Sequence, residues 1–189
     1  RLMRFDGTAS GLFAEIARQV KKDGAKGVIL DMRGNPGGYL DSAIAIASEI
    51  VPGKTVVIEE YKDGRKDELK AENKGTMADI PIVVLVDQGS ASASEILAGA
   101  IRDNNRGILI GEKTFGKGTV QEMSQFPNGS ALKITVAHWL TPKGTIIEKN
   151  GLKPDIEVKL GDVPTLQSGQ GLKDEQMERA MLEIGLRSK

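Results

Sequence analysis

The chain has 189 residues, 39% of them hydrophobic, enough for one domain with a sizeable core, and its 26 basic and 26 acidic side chains cancel to a formal net charge of zero. That balance argues against gripping nucleic acid or an anionic membrane by bulk charge, and no apolar run approaches the ~18 residues a membrane span needs. Cysteine is absent and His138 is the single histidine, which excludes disulfides, thiol catalysis and Cys/His zinc sites.

The opening residues Arg1 to Phe5 read as a short strand met in its middle, so the expectation is a fragment or excised domain. Thr8 or Ser10 is the candidate cap of a helix running to about Lys22, with Leu12, Phe13, Ile16, Ala17 and Val20 as its buried stripe. Lys26 to Met32 is a strand whose unbroken apolar run suits a sheet covered on both faces. Arg33-Gly34-Asn35-Pro36-Gly37-Gly38 follows at its carboxyl end, and Leu40 to Ile50 is the next helix. Thr55 to Tyr61 and Lys66 to Lys70 form a hairpin around Asp63-Gly64.

Ile82 to Val86 is a buried-type strand that runs into Gly89-Ser90-Ala91-Ser92-Ala93-Ser94-Glu95, and a helix follows with Ile96, Leu97, Ala100 and Ile101 facing inward. Gly107 to Ile110 is a further strand leading to a lysine between glycines, Lys117. Gln121 to Phe126 and Ser130 to His138 pair across Asn128-Gly129. Strands are expected at Thr145 to Glu148 and Asp155 to Leu160, a linker at Gly161 to Gly171, and a last helix from Asp174 to Ile184 with Met177, Ala180, Met181 and Ile184 on one face. Strand and helix alternate early and hairpins come later, which suggests a mixed sheet with helices packed against it.

A serine cluster at a helix start and a lysine in a glycine loop suggest that a hydroxyl attacks, an amine takes its proton, and free helix N–H groups hold the developing charge. Ser92 followed by Glu95 also fits the S-x-x-E capping box, and on chemistry alone capping is the stronger reading. The stretch is not G-x-S-x-G. Gly111 to Lys117 matches the start of the phosphate loop G-x-x-x-x-G-K-[ST], but Gly118 replaces the hydroxyl residue and a strand follows instead of a helix, so the nucleotide reading fails on context. A basic lysine must be neutral, which needs burial or positive neighbours; Phe115 and Val120 are compatible with that, and Gln121 could aim the amine. Gly37 and Gly38 offer unobstructed N–H groups or simply a tight turn. His138, between Ala137 and Trp139, reads as an ordinary strand histidine, and the acidic residues are too dispersed for a metal site.

Five segments, ILDMRGNPGG, VVLVDQGSASASEILAGAI, ILIGEKTFGKGTVQ, ITVAHWLTPKG and NGLKPD, together resemble the catalytic core of the C-terminal processing (tail-specific) serine peptidases, in family order across Leu2 to Leu160. The terminal DEQMERAMLEI is similar to the family's last core element. The resemblance implies an α/β (mixed α+β), crotonase-like (ClpP/crotonase-type) core with a mixed sheet, flanking helices and added β-hairpins. It implies a core over residues 1–160, with residues 161–189 a loop and a C-terminal helix packing on it. It also implies Ser92 as nucleophile, Lys117 as base and Gln121 as its orienting partner, with the N–H groups of Gly38 and Ala93 as oxyanion hole and Gly37, Glu95, Asp103 and Thr114 in support. The implied activity is serine endopeptidase action on unfolded or C-terminally exposed segments through an acyl-enzyme, without metal or other cofactor. The implied partners are a protein or peptide substrate and an upstream PDZ domain that nothing in this chain resembles; nucleic acid is not a partner, and self-association is left open. The implied compartment is extracytoplasmic. The alternatives are a catalytically silent binding module on the same fold, which would not need Ser92, and a crotonase-type acyl-CoA enzyme, which would need neither Ser92 nor Lys117.

Overall fold

The structure is a computed structural model describing residues 1–73, 75–159 and 174–187. Among the described residues the parallel and antiparallel strands separate into two four-stranded sheets. The first has the order β1 (Val28–Asp31), β4 (Ile82–Val86), β5 (Gly107–Gly111), β8 (Ile156–Glu157), all parallel. The second has the order β3 (Lys66–Lys70), β2 (Thr55–Tyr61), β7 (Ala131–Leu140), β6 (Thr119–Gln125), all antiparallel.

Strand β4 shows why its sequence carries no polar alternation. Ile82, Val84 and Val86 face a core shared with the helices α1 (Ala9–Lys22), α2 (Leu40–Ile50) and α3 (Ala93–Asp103), whereas Val83 and Leu85 face a second cluster under α4 (Glu175–Arg187). A strand covered on both faces must be apolar throughout. Helix α3 lies at the centre; Ile96, Leu97, Ala98, Ala100 and Ile101 are almost wholly buried.

Several expectations need correction. Arg1 to Phe5 contributes only a single bridge, Phe5 to Gly38. Thr8 stands at the N-cap of α1, but the capping oxygen comes from Asp6, which accepts from the N–H groups of Thr8 and Ala9 and from the Thr8 hydroxyl. Leu12 and Ile16 are exposed, because α1 packs through Ala9, Phe13, Ala17 and Val20; the other two line an apolar groove of about 350 Å3 with Leu2, Met3 and Val28. Thr145 to Glu148 forms one bridge, Leu140 to Ile146, instead of a strand: beyond the bonds of Thr145 to Thr141 and Ile147 to Trp139, the carbonyl of Ile147 turns the chain by accepting the N–H groups of Asn150 and Gly151. Of the strand expected at Asp155 to Leu160, the described residues form only Ile156–Glu157. Met181 is exposed although Ala180 is buried, so the inward stripe of α4 is narrower than the spacing suggests. The expected linker at Gly161 to Gly171 lies outside the described residues.

Candidate active site

Loops leaving the carboxyl ends of three adjacent parallel strands, β1, β4 and β5, carry Gly38, Ser92 and Lys117 respectively. This is where open α/β sheets place ligands. Ser90 stitches the loops together. Its hydroxyl donates to the carbonyl of Met32 at 2.9 Å and its carbonyl accepts the N–H of Phe115 at 3.0 Å. Asp87 accepts the N–H groups of Gly34 and Gly89 with one oxygen, holding the first two loops in register.

Ser92 has φ 57° and ψ −118°, a left-handed conformation that side chains other than glycine rarely adopt. It occupies the second position of a turn closed by the N–H of Ser94 on the carbonyl of Ala91, and α3 starts at the next residue. An ordinary N-cap residue lies in the extended region, so capping alone does not call for this backbone. Gly37 sits directly against the turn. A Cβ there would lie 2.6 Å from the oxygen of Ala91, 2.8 Å from the Cβ of Ser92 and 2.9 Å from the nitrogen of Ala93, so no side chain fits.

The Gly37–Gly38 peptide is fixed in orientation. The carbonyl of Gly37 accepts the N–H of Phe5 at 3.1 Å, and the N–H of Tyr39 reaches the carbonyl of Phe5 at 2.7 Å. Because the peptide unit is planar and trans, tying its carbonyl on one side aims the N–H of Gly38 to the other. The N–H of Ala93 belongs to the first turn of α3, beyond the helix ladder. Among the described residues neither of these two N–H groups is spent on a protein acceptor.

Glu95 joins the loop of Ser92 to the loop of Lys117. The residue is fully buried, and its Oε2 accepts the N–H groups of Ser92 and Lys117, each at 2.9 Å. Its Oε1 accepts the hydroxyl of Thr114 and the N–H of Gly116, the latter at 2.7 Å. Two amide nitrogens sharing one oxygen are separated by less than twice that bond, so the backbones of Ser92 and Lys117 are neighbours. Thr114 is clamped in turn, its hydroxyl accepting the N–H of Leu152 at 2.7 Å. Gly118 is packed flat on the 147–148 backbone, where a Cβ would come within 2.4 Å of the nitrogen of Glu148.

The lysine itself is held only by its backbone. Its side chain is exposed, and among the described residues it makes no hydrogen bond to Ser92. Gln121 is likewise exposed and reaches the hydroxyl of Thr135 across the hairpin at a long 3.5 Å, not Lys117. Asp103 is not brought to the site. It lies at the far end of α3, about 16 Å away at 1.5 Å per residue, where it accepts the Nε of Arg102 and the N–H of Lys143, each at 3.0 Å. His138 is exposed and lies opposite Glu60 and Thr119 in the second sheet. Among the described residues no group of three or more His, Asp or Glu side chains is placed to hold a metal.

Two polar clusters beside the site were not singled out from the sequence. Asn35 is wholly buried within the first loop. Arg33 is gripped by Asp31 and Asp174, its Nη2 lying 2.9 Å and 2.8 Å from their carboxylates, which fastens α4 to the root of the same loop. Donating hydrogen bonds to both carboxylates raises the already high pKa of Arg33. Burial pushes the Asp31 carboxyl up, but the bonds from Arg33 outweigh it and hold it below its ordinary value; Asp174 is lowered chiefly by its bond from Arg33.

Residues 1–158 match the family model described as peptidase family S41. The chain is 42% identical over 167 residues to the carboxy-terminal processing protease CtpA of Bacillus subtilis (strain 168), covering 88% of this chain and 36% of that protein. It is 44% identical over 155 residues to the carboxyl-terminal-processing protease of Synechocystis sp., covering 82% and 36%. Among solved structures, the photosystem II D1 C-terminal processing protease superposes with a TM-score of 0.81 at 34% identity, covering 86% of this chain and 42% of the other. The chain therefore spans about a third of the length of these curated relatives.

Proposed function

This chain belongs to peptidase family S41, and on that premise we propose that it is the catalytic core of a serine endopeptidase that cleaves unfolded or C-terminally exposed polypeptide. The observation that carries the reading is the backbone of Ser92, left-handed at φ 57° with Gly37 pressed on its Cβ and the N–H of Ala93 beside it. Strained backbone of this kind costs about 1–3 kcal/mol and concentrates at functional sites, whereas a cap needs none of it.

In the proposed reaction bound substrate covers the amine of Lys117, which then acts as base and takes the proton of the Ser92 hydroxyl as its oxygen bonds to the scissile carbonyl carbon. The oxyanion is held by the N–H groups of Gly38 and Ala93. The C–N bond then breaks, and the ammonium of Lys117 gives its proton to the leaving amine. Water hydrolyses the acyl-enzyme with the same amine as base. Glu95 supports this arrangement by registering the two backbones, and Gln121 is the proposed partner that aims the amine. With the Lys117 side chain standing in solvent, closing the distance to Ser92 is the step that substrate must complete. Exposed aromatic rings at Tyr39 and Phe115, next in sequence to Gly38 and beside Lys117, offer apolar surface for an extended chain. Residues 1–160 with the packed α4 form the proposed core. A PDZ domain ahead of it in the whole protein and an extracytoplasmic location belong to the same proposal and rest on the family resemblance.

The test is cleavage of an unfolded protein with an apolar C-terminus by wild type and Ser92→Ala, each with and without an upstream PDZ domain. Cleavage that disappears in Ser92→Ala is expected. Cleavage that survives the substitution removes Ser92 as nucleophile, and no cleavage by wild type even with the PDZ domain leaves the fold as a binding module.

A further inference from the structure

Asn35 is buried with all of its polar groups engaged, and those groups reach three separate segments. Its side-chain Nδ2 donates to the carbonyl of Leu2 at 2.9 Å and its Oδ1 accepts the N–H of Gly37 at 2.9 Å. Its N–H bonds the carbonyl of Met32 at 3.2 Å. Its own carbonyl accepts twice at 3.0 Å, from the N–H of Ala91 and from the hydroxyl of Ser94, two residues that flank Ser92.

We propose that Asn35 is a positioning residue for the oxyanion hole, setting the Gly37–Gly38 peptide on one side and the turn of Ser92 on the other so that the two N–H donors converge. The proposal rests on the Ser92 reading above. Its physical basis is the planar Gly37–Gly38 unit. The carbonyl of that unit is tied to Phe5, the N–H of Gly37 is tied to Asn35, and the segment bearing Phe5 is itself held at Leu2 by the Asn35 amide. Removing the amide therefore loosens both restraints on the direction of the Gly38 N–H while leaving Ser92, Glu95 and Lys117 chemically intact. Oxyanion donors act on the charge of the transition state more than on the bound substrate, so a misaimed donor reduces kcat and spares KM.

The experiment compares wild type, Asn35→Ala and Ser92→Ala in the full 189-residue chain, with an upstream PDZ domain added if wild type needs it for cleavage. The expected result for Asn35→Ala is a fall in kcat of about 100-fold, the size associated with small misplacements of a catalytic group. KM should stay within about twofold of wild type, and the Gly37 amide should exchange its hydrogen at least about tenfold faster while amides of β4 stay protected. Unchanged kcat with Ser92-dependent cleavage intact overturns the proposal, as does a loss of kcat that merely follows the unfolded fraction. Should Asn35→Ala fail to fold, Asn35→Ser decides. Serine offers a weaker form of the same bond to Gly37 and cannot reach Leu2, so wild-type kcat in that variant also overturns the proposal. If cleavage proves independent of Ser92, the functional reading fails by itself, and the brace is then judged by amide exchange alone, where an unchanged Gly37 rate overturns it.

Discussion

Asn35, Gly37 and Ser90 to Glu95 are buried and joined by hydrogen bonds, whereas residues 121–135 of the β6–β7 hairpin are exposed on both faces. Between them in sequence stands Lys117, whose N–H is bonded into the first region and whose side chain is exposed as the second region is. The half of the proposed site that carries Ser92 is thus built as part of the core, and the half that carries the Lys117 side chain as part of the surface. Rigid placement costs nothing further at the moment of reaction, while a group in solvent must still be brought in. The contrast suggests that substrate, arriving along the exposed half, completes a site whose other half is already set.

That contrast can be broken most severely at Lys117. Lys117→Met should reduce cleavage by about 10³-fold or more, with a melting temperature within about 1 °C of wild type because the side chain contacts little. Calorimetry beside the assay checks both, and a large stability loss would show that the lysine is structural. On the buried side, Glu95→Ala leaves the N–H groups of Ser92, Gly116 and Lys117 and the hydroxyl of Thr114 without their acceptor. Each unpaired buried donor costs about 1–3 kcal/mol, so denaturant unfolding should show a loss of about 3 kcal/mol or more. Gln121→Ala sharpens the comparison from the exposed side. It should leave stability alone and lower kcat up to about tenfold, the rate equivalent of one hydrogen bond.

The ion cluster at the root of the first loop adds a pH signature. The carboxyls of Asp31 and Asp174 are both held below their ordinary value of 3.8, so their contribution is complete above that pH and is lost as pH falls through the lowered values. The melting-temperature difference between wild type and Asp174→Asn should therefore be present at pH 7 and shrink as the solution is taken below about pH 4. A difference that stays constant would mean that Asp174 acts by something other than charge. The smallest effect is expected on the ribbon, where Met123→Ser should change stability by less than about 0.5 kcal/mol because Met123 is 64% exposed.

Much of this layout was legible in the sequence. The apolar run of Ile82 to Val86 followed by small residues and an inward-facing helix pattern gave the strand, turn and helix at their observed places, and the Asp63-Gly64 and Asn128-Gly129 pairs gave both hairpins. What stayed hidden depends on distance along the chain. The S-x-x-E spacing of Ser92 and Glu95 announces a capped helix, and Ser92 is the N-cap of α3 with Glu95 accepting its N–H, but spacing carries no φ angle and could not show that this cap sits in a left-handed turn. The partners of Glu95 at positions 114, 116 and 117 come from another loop, as do those of Asn35 at positions 2, 91 and 94, and no local pattern records them. Asp103 is placed by family position alone, which does not say which end of α3 a residue occupies; it stands at the end opposite Ser92, where it accepts the N–H of Lys143. Leu12 and Ile16 follow the helical period but border a groove, because periodicity marks an apolar face without saying what covers it.

The left-handed backbone at Ser92 also bears on what selection for stability would do to this molecule. A serine and an alanine carry the same Cβ into that conformation and share its strain, whereas glycine does not. Ser92→Gly should consequently melt higher than Ser92→Ala, by the strain released less the extra disorder glycine brings to the unfolded chain. A lineage rewarded only for a durable fold would drift toward glycine at position 92, and the persistence of serine there would mark a lineage in which the hydroxyl is still used.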